Sequence, residues 1–207
     1  DNAKAGSVVV RSKRGLDDEV QKLSAELGLD FTRLAKAPAA PMEELNRVKV
    51  GIYKSWQANM DEGWSRWMLE QFNFDLDTLH NEDIKTGNLS QYSAIIFPSQ
   101  SGRGILEGND PRRAPEKFAG GIGEEGVAAL DTYATSGGSI IFFDAASDFA
   151  IEQFKLPVTN VLSGLKSTEF FIPGSLIRTK IDTSKPLAFG MMDEVAASFD
   201  NSGAFKI

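Results

Sequence analysis

No cysteine occurs in this chain, and histidine occurs once, at His80. The first absence removes disulfides, thiolate metal sites and any thiol nucleophile, and leaves the redox compartment open. The second removes the histidine-rich ligand sets that hold zinc. His80-Asn81-Glu82-Asp83 looks like half of such a site, but a single histidine leaves it short of ligands, so the stretch reads as a solvated loop and no metal is expected. Basic clusters are also scarce. Arg112-Arg113 is the only dense pair, and 29 acidic against 22 basic residues give a formal charge of -7, which argues against a phosphate-backbone binder. No apolar run approaches the ~18 residues that cross a bilayer, and the N-terminus lacks a hydrophobic signal core. Neither nucleic acid nor membrane is expected as a partner.

What is present suffices for one good core: 207 residues, 42% of them apolar, with 14 phenylalanines. Val8 to Val10 read as a short strand, followed by Leu16, Val20, Leu23 and Leu27 at helical spacing and a stop at Gly28. Ala35 to Pro41 is rich in alanine and proline and reads as a tether. Residues 1–46 are therefore expected to be an interdomain segment and residues 47–207 an α/β domain. The opening on Asp1 and the ending Ala204-Phe205-Lys206-Ile207, which reads as a strand in progress, suggest a piece of a longer polypeptide.

From Val48 the chain alternates. Strands are expected over Val48–Tyr53, Phe74–Leu79, Ser93–Phe97 (buried on both faces) and Ser139–Phe143. Helices are expected over Gly63–Phe72, with Trp64, Trp67, Met68 and Phe72 as its core face, and over Gly123–Ser136, closed by Gly137-Gly138 and opened by Glu124-Glu125 at its positive end. Strands separated by helices pair in parallel through right-handed crossovers, hence a three-layer α/β fold with a mostly parallel sheet. Beyond Phe154, Glu169–Ile172, Ser175–Ile181 and Phe205–Ile207 read as shorter, partly antiparallel strands.

A strand running into a sharp turn and a helix is where an α/β enzyme carries its nucleophile. Here Phe143 leads into Asp144-Ala145-Ala146-Ser147-Asp148, with Ala146 at the expected tip and no atom there able to attack. Ser147, flanked by Asp144 and Asp148, is the candidate replacement. It lacks a histidine brought near by spacing, and a serine at a helix start is more commonly an N-cap. The loop Ser99, Gln100, Ser101, Gly102, Arg103 leaves the third strand, where ligands of open α/β sheets sit, although the same residues also make ordinary turns. Arg103 offers a fork for a carboxylate. Trp56, just after the first strand, is a weaker candidate as a ligand platform.

YSAIIFPSQSG and GGIGEEGVAALDTYATSGGSIIFFDAASDFAIEQFKLPV resemble a class I glutamine amidotransferase-like domain, of the kind found C-terminal to bacterial zinc carboxypeptidases of the carboxypeptidase A type. The resemblance spans about residues 47 to 205, and residues 1 to 40 resemble the segment joining the two domains. It implies a flavodoxin-like, amidotransferase-like fold. The family's GxCxG elbow falls on Asp144 to Asp148, so the cysteine position is Ala146 and both glycines are aspartates, a degenerate site with no catalytic residue. It further implies a non-catalytic accessory domain for substrate recognition or structure. Its partner would be a covalently linked upstream peptidase domain, which alone would carry zinc, in a secreted or periplasmic protein. The alternatives are a binding domain for a small polar ligand, such as a sugar or peptide end held by Ser99 to Arg103 with Asp144, Ser147 and Asp148, or a serine hydrolase using Ser147.

Overall fold

The computed structural model describes residues 7–39, 41–42, 44–200 and 202–207. Ala40, within the expected tether, and residues 1–6 lie outside the described residues. The chain divides into two units, one of residues 1–45 with 180–195 and one of residues 46–179 with 196–207.

In the first unit, helix α1 (Leu16–Leu27) forms where the leucine spacing places it and ends on Gly28, whose left-handed backbone (φ 64) lets its N–H reach the Ser24 carbonyl. Asp17, Asp18 and Glu19 complement the helix dipole. None of its residues is buried. Val8 to Val10 are exposed and form no strand. Their β-branching favours extended backbone, but no neighbouring strand supplies the hydrogen bonds.

The second unit is built on four parallel strands, β1 (Lys49–Tyr53), β2 (Asp75–Leu79), β3 (Ala94–Phe97) and β4 (Ser139–Phe142), in the order β2-β1-β3-β4. This is the flavodoxin-like arrangement, in which the order reverses between β1 and β3. Period-two alternation sends Tyr53, Ile95, Phe97, Ile140 and Phe142 to one face and Val50, Ile52, Leu76 and Ile96 to the other. The first face carries the main core, with Tyr53, Phe97 and Phe142 stacked in series at ring separations of 4.7 and 5.0 Å. Helices α3 (Asn81–Lys85), α4 (Gly102–Leu106), α5 (Gly123–Thr135) and α6 (Ala146–Gln153) accompany it, contributing Ile84, Ile105, Leu130 and Phe149. Gly121 marks how tightly this layer closes, since a Cβ there would lie 2.4 Å from the Ile105 carbonyl oxygen.

The opposite face is covered by α2 (Met60–Gln71), and here the expectation fails in an informative way. The aromatic stripe is not the buried side: Trp64, Trp67 and Phe72 are 63%, 53% and 73% exposed. The helix instead turns Glu62, Ser65, Arg66 and Leu69 toward the sheet. Glu62 is buried with Arg66 Nε 2.8 Å from it and Lys54 Nζ 3.8 Å away. Helical spacing identifies a stripe but not the face that meets the sheet, and in α2 the face that meets it carries this ion cluster and Leu69. The helix starts three residues earlier than expected because the Asn59 side chain accepts from the Asp61 and Glu62 N–H groups.

The stretch after β2 forms α3, capped by His80, rather than a solvated loop, because the Asp83 carboxylate accepts from the His80 N–H and closes the first turn. Glu169–Ile172 forms no strand. The later strands are β5 (Thr159–Asn160), paired antiparallel with β8 (Phe205–Lys206), and a two-stranded sheet of β6 (Pro173–Lys180) with β7 (Glu194–Asp200).

At the edge of the main core, Lys49 Nζ lies 2.6 Å from Asp77 Oδ2, and the Tyr92 hydroxyl donates to the same oxygen at 3.0 Å. The lysine first and the tyrosine second hold the Asp77 carboxyl below its usual range, while burial, reinforced by Asp77, pushes the Tyr92 hydroxyl up to about 12. The two linkages have opposite signs. The Asp77 contribution is present above the ordinary carboxylate pKa and is lost as pH falls through the lower native one; the Tyr92 contribution is present below ~10 and is lost as pH rises toward the native value. In urea titrations Asp77→Asn is expected to be less stable than the parent at pH 7 and to converge with it below about pH 3. Tyr92→Phe is expected to flatten the parent's loss of stability above about pH 10, and unchanged slopes at both ends would contradict this linkage.

Candidate functional site

The C-terminal ends of the four parallel strands form the edge where open α/β sheets hold ligands. The crevice at the order reversal, between the exits of β1 and β3, is filled by the protein's own polar groups. Gln100 Nε2 donates to Gln57 Oε1 at 3.2 Å, Asn59 Nδ2 donates to the Ser99 carbonyl at 3.1 Å, and the Gln57 N–H donates to Ser55 Oγ at 3.2 Å. Gly104 lies beneath them: a Cβ there would press on the ends of both glutamine side chains, at 2.8 Å from each. Beside this seal, the Trp56 ring stacks on His80 at 3.9 Å, and His80 Nδ1 donates to the Lys54 carbonyl at 2.7 Å. Below them the Tyr53 hydroxyl donates to Asn81 Oδ1 at 2.7 Å, and Asn81 Nδ2 donates to the Gly120 carbonyl. Burial raises the Tyr53 hydroxyl well above its ordinary pKa, so it stays a donor. Trp56 is thus a packed lid over a buried network, with Phe118 edge-on at 4.9 Å, rather than an open platform.

The exit of β4 is different. The residue lifted by the strand-to-helix turn is Asp144, with φ 45, and not Ala146. Ala146 opens α6 and is fully buried in the main core. A short side chain that can bond locally tolerates the left-handed region, which explains why an aspartate stands there. Its Oδ2 accepts from Ser99 Oγ at 3.0 Å, joining the exits of β3 and β4. Ser147 is not the N-cap, a position taken by Ala145; its hydroxyl donates to the Phe142 carbonyl at 3.2 Å. The lone histidine is held at Trp56, on the far side of Tyr53 from this turn in the strand order.

The structure therefore sorts the residues singled out by sequence. Ser99 bonds to Asp144, and Asp144 and Asp148 line one cavity. Gln100 seals the neighbouring crevice, Ser101 caps α4 by accepting from the Gly104 N–H, and Gly102 packs on Phe149. Arg103 points into solvent, with its side chain 85% exposed, and pairs with Glu107 at 2.8 Å, so its fork is not aimed at the crevice. Sequence reasoning missed the other wall. Around Asp144, Ala145 and Asp148 lies a cavity of about 260 Å³ whose remaining lining comes from the C-terminal third, including Asn160, Phe171 and Phe205. No spacing rule connects that region to the elbow, and the only local signal was the aromatic doublet Phe170-Phe171. Among the described residues no three histidine, aspartate or glutamate side chains gather as a metal-ligand set.

No family model matches the chain, and no curated protein matches it. Among solved structures it is similar to a protein from Bacteroides uniformis described as ThuA-like, at 14% identity and a TM-score of 0.46, over 82% of this chain and 64% of that one. It is also similar to a protein from Thermoplasma acidophilum described as one of the subunits of GMP synthase, at 10% identity and a TM-score of 0.45, over 78% of this chain and 68% of that one. The chain thus spans about two thirds of the length of these neighbours.

The left-handed backbone at Asp144 yields a direct expectation. Asp144→Ala loses the Ser99 bond and puts a side chain with no local bonding into that region, whereas Asp144→Gly loses the bond but relieves the backbone. The glycine variant is expected to be the more stable of the two by about 1 kcal/mol in denaturant titrations. An alanine variant as stable as the glycine variant would remove Asp144 from the apex.

Proposed function

We propose that this chain is a non-catalytic accessory domain that holds a small polar ligand at the elbow pocket and serves a zinc carboxypeptidase domain in substrate recognition or structural support. The observation that carries the non-catalytic part is that the Ser147 hydroxyl is already spent and the lone histidine is held elsewhere. Asp144 is bonded to Ser99, Ser147 gives its proton to a backbone carbonyl, and His80 is held against Trp56. Nucleophilic attack by a serine needs a base within hydrogen-bond reach, and a hydroxyl already donating to a carbonyl is not being activated. The binding part is supported by the cavity beside Asp144 and Asp148.

The peptidase partnership is supported by the sequence resemblance alone. The zinc set of that family needs paired histidines and a glutamate, and one histidine in 207 residues does not fit it, so no metal step is routed through this chain. A serine hydrolase is disfavoured by the Ser147 bond, and a free-standing ligand-binding domain is the second reading, favoured by the same cavity.

Three measurements test these parts separately. The parent chain is expected to resist a serine-directed fluorophosphonate, and Ala146→Cys is expected to release no ammonia from glutamine, because that side chain is buried in the core rather than presented at the turn. Labelling abolished by Ser147→Ala, or glutaminase activity in the cysteine variant, would overturn the non-catalytic reading. The reading frame encoding this chain is expected to carry an HxxE motif and a later histidine upstream. Their absence would remove the peptidase and leave the binding domain.

A further inference from the structure

Resting on the reading that the elbow pocket binds rather than reacts, we infer that its ligand is an organic cation: an ammonium or guanidinium group at the end of a small flexible molecule or of a lysine or arginine side chain. The pocket's size is the first constraint. At about 260 Å³ it lies near the small end of ligand cavities, which begin at ~300 Å³, so it suits one side chain or a small amine.

Its walls are the second constraint. Phe170, Phe171, Phe199 and Phe205 all line it, with Phe170 and Phe199 in an edge-on pair at 6.0 Å. Phe171 is 68% exposed, leaving much of its apolar surface in water beside an open cavity. Aromatic rings around a pocket favour either a flat neutral ligand or a cation over the ring face.

Charge separates those two. The lining includes two carboxylates, Asp144 and Asp148, and no lysine, arginine or histidine. Neither carboxylate has a cationic partner among the described ion pairs. Asp144 Oδ2 accepts from Ser99 Oγ, and Asp148 Oδ1 accepts a long 3.5 Å bond from Asn160 Nδ2, so each keeps its other oxygen available to a donor. The N-terminus of α6 lies at the same place and would by itself attract an anion, with a partial charge of roughly +0.5. Two full negative charges outweigh it. Its first amides are moreover already engaged, Ala146 N–H with the Phe143 carbonyl and Ser147 N–H with the Asp144 carbonyl. The chain's formal charge of -7 also favours the approach of a cation.

Isothermal titration with agmatine and choline as cationic probes, and glucose and acetate as neutral and anionic ones, tests this assignment. The cations are expected to bind and the other two to be silent. Binding is expected to weaken by about tenfold or more when Asp144→Asn and Asp148→Asn are combined, and several-fold between about 0.05 M and 0.5 M salt. Asp148→Asn and Phe171→Ala alone, both changes of exposed side chains, are each expected to weaken it without shifting the melting temperature appreciably, which covers the case of a double variant that does not fold. Silence of both cations, cation binding untouched by these substitutions, or tighter binding of glucose would overturn the inference. Those results would leave the non-catalytic reading intact, since it fails only on fluorophosphonate labelling or ammonia release.

Discussion

The hydrogen bond from Ser99 to Asp144 is the interaction on which the site depends. It joins the exit of β3 to the exit of β4 and holds an aspartate in backbone space that most residues avoid. With Asp144 fixed there, the chain can enter α6 at once, bury Ala146 and Phe149 in the main core, and leave Asp148 facing outward in the first helical turn. The Phe143 N–H, bonded to the Phe97 carbonyl at 2.9 Å, extends the β3–β4 pairing to the last residue before the turn. The strand-to-helix turn after β4 thus presents a carboxylate, that of Asp144.

The two neighbouring openings along the sheet edge are treated oppositely. Between β1 and β3, glutamine, asparagine and serine side chains bond to one another and to the backbone, so their polar capacity is spent internally. Beyond β4, the carboxylates keep unspent oxygens and the walls are phenylalanine. Among the described residues at these two openings, unspent hydrogen-bonding groups stand next to unfilled space at the second.

The sheet was legible in the sequence because short β-branched and aromatic runs alternating with helical periods leave few topologies. Val48–Tyr53, Ser93–Phe97 and Ser139–Phe143 each fall within a residue of β1, β3 and β4, and Gly28 and Gly137 end helices as glycine after an apolar period should. The helix rotation at α2 was not legible, because Glu62 is buried through Lys54 and Arg66, and no local pattern announces a buried carboxylate. The apex of the elbow was displaced by two residues for a related reason: motif spacing placed Ala146 there, while backbone conformation selected Asp144. Nor did the aromatic wall show itself, since Phe171 and Phe205 reach the elbow by tertiary placement alone.

Ser99 and Asp144 act as one unit that sets the turn and thereby the pocket floor. A double-mutant cycle of Ser99→Ala and Asp144→Asn, read by urea unfolding at pH 7, measures that unit directly. A coupling energy of about 1 kcal/mol is expected, the size of a hydrogen bond to a carboxylate. Strictly additive losses would show that the two exits are held independently and would contradict it.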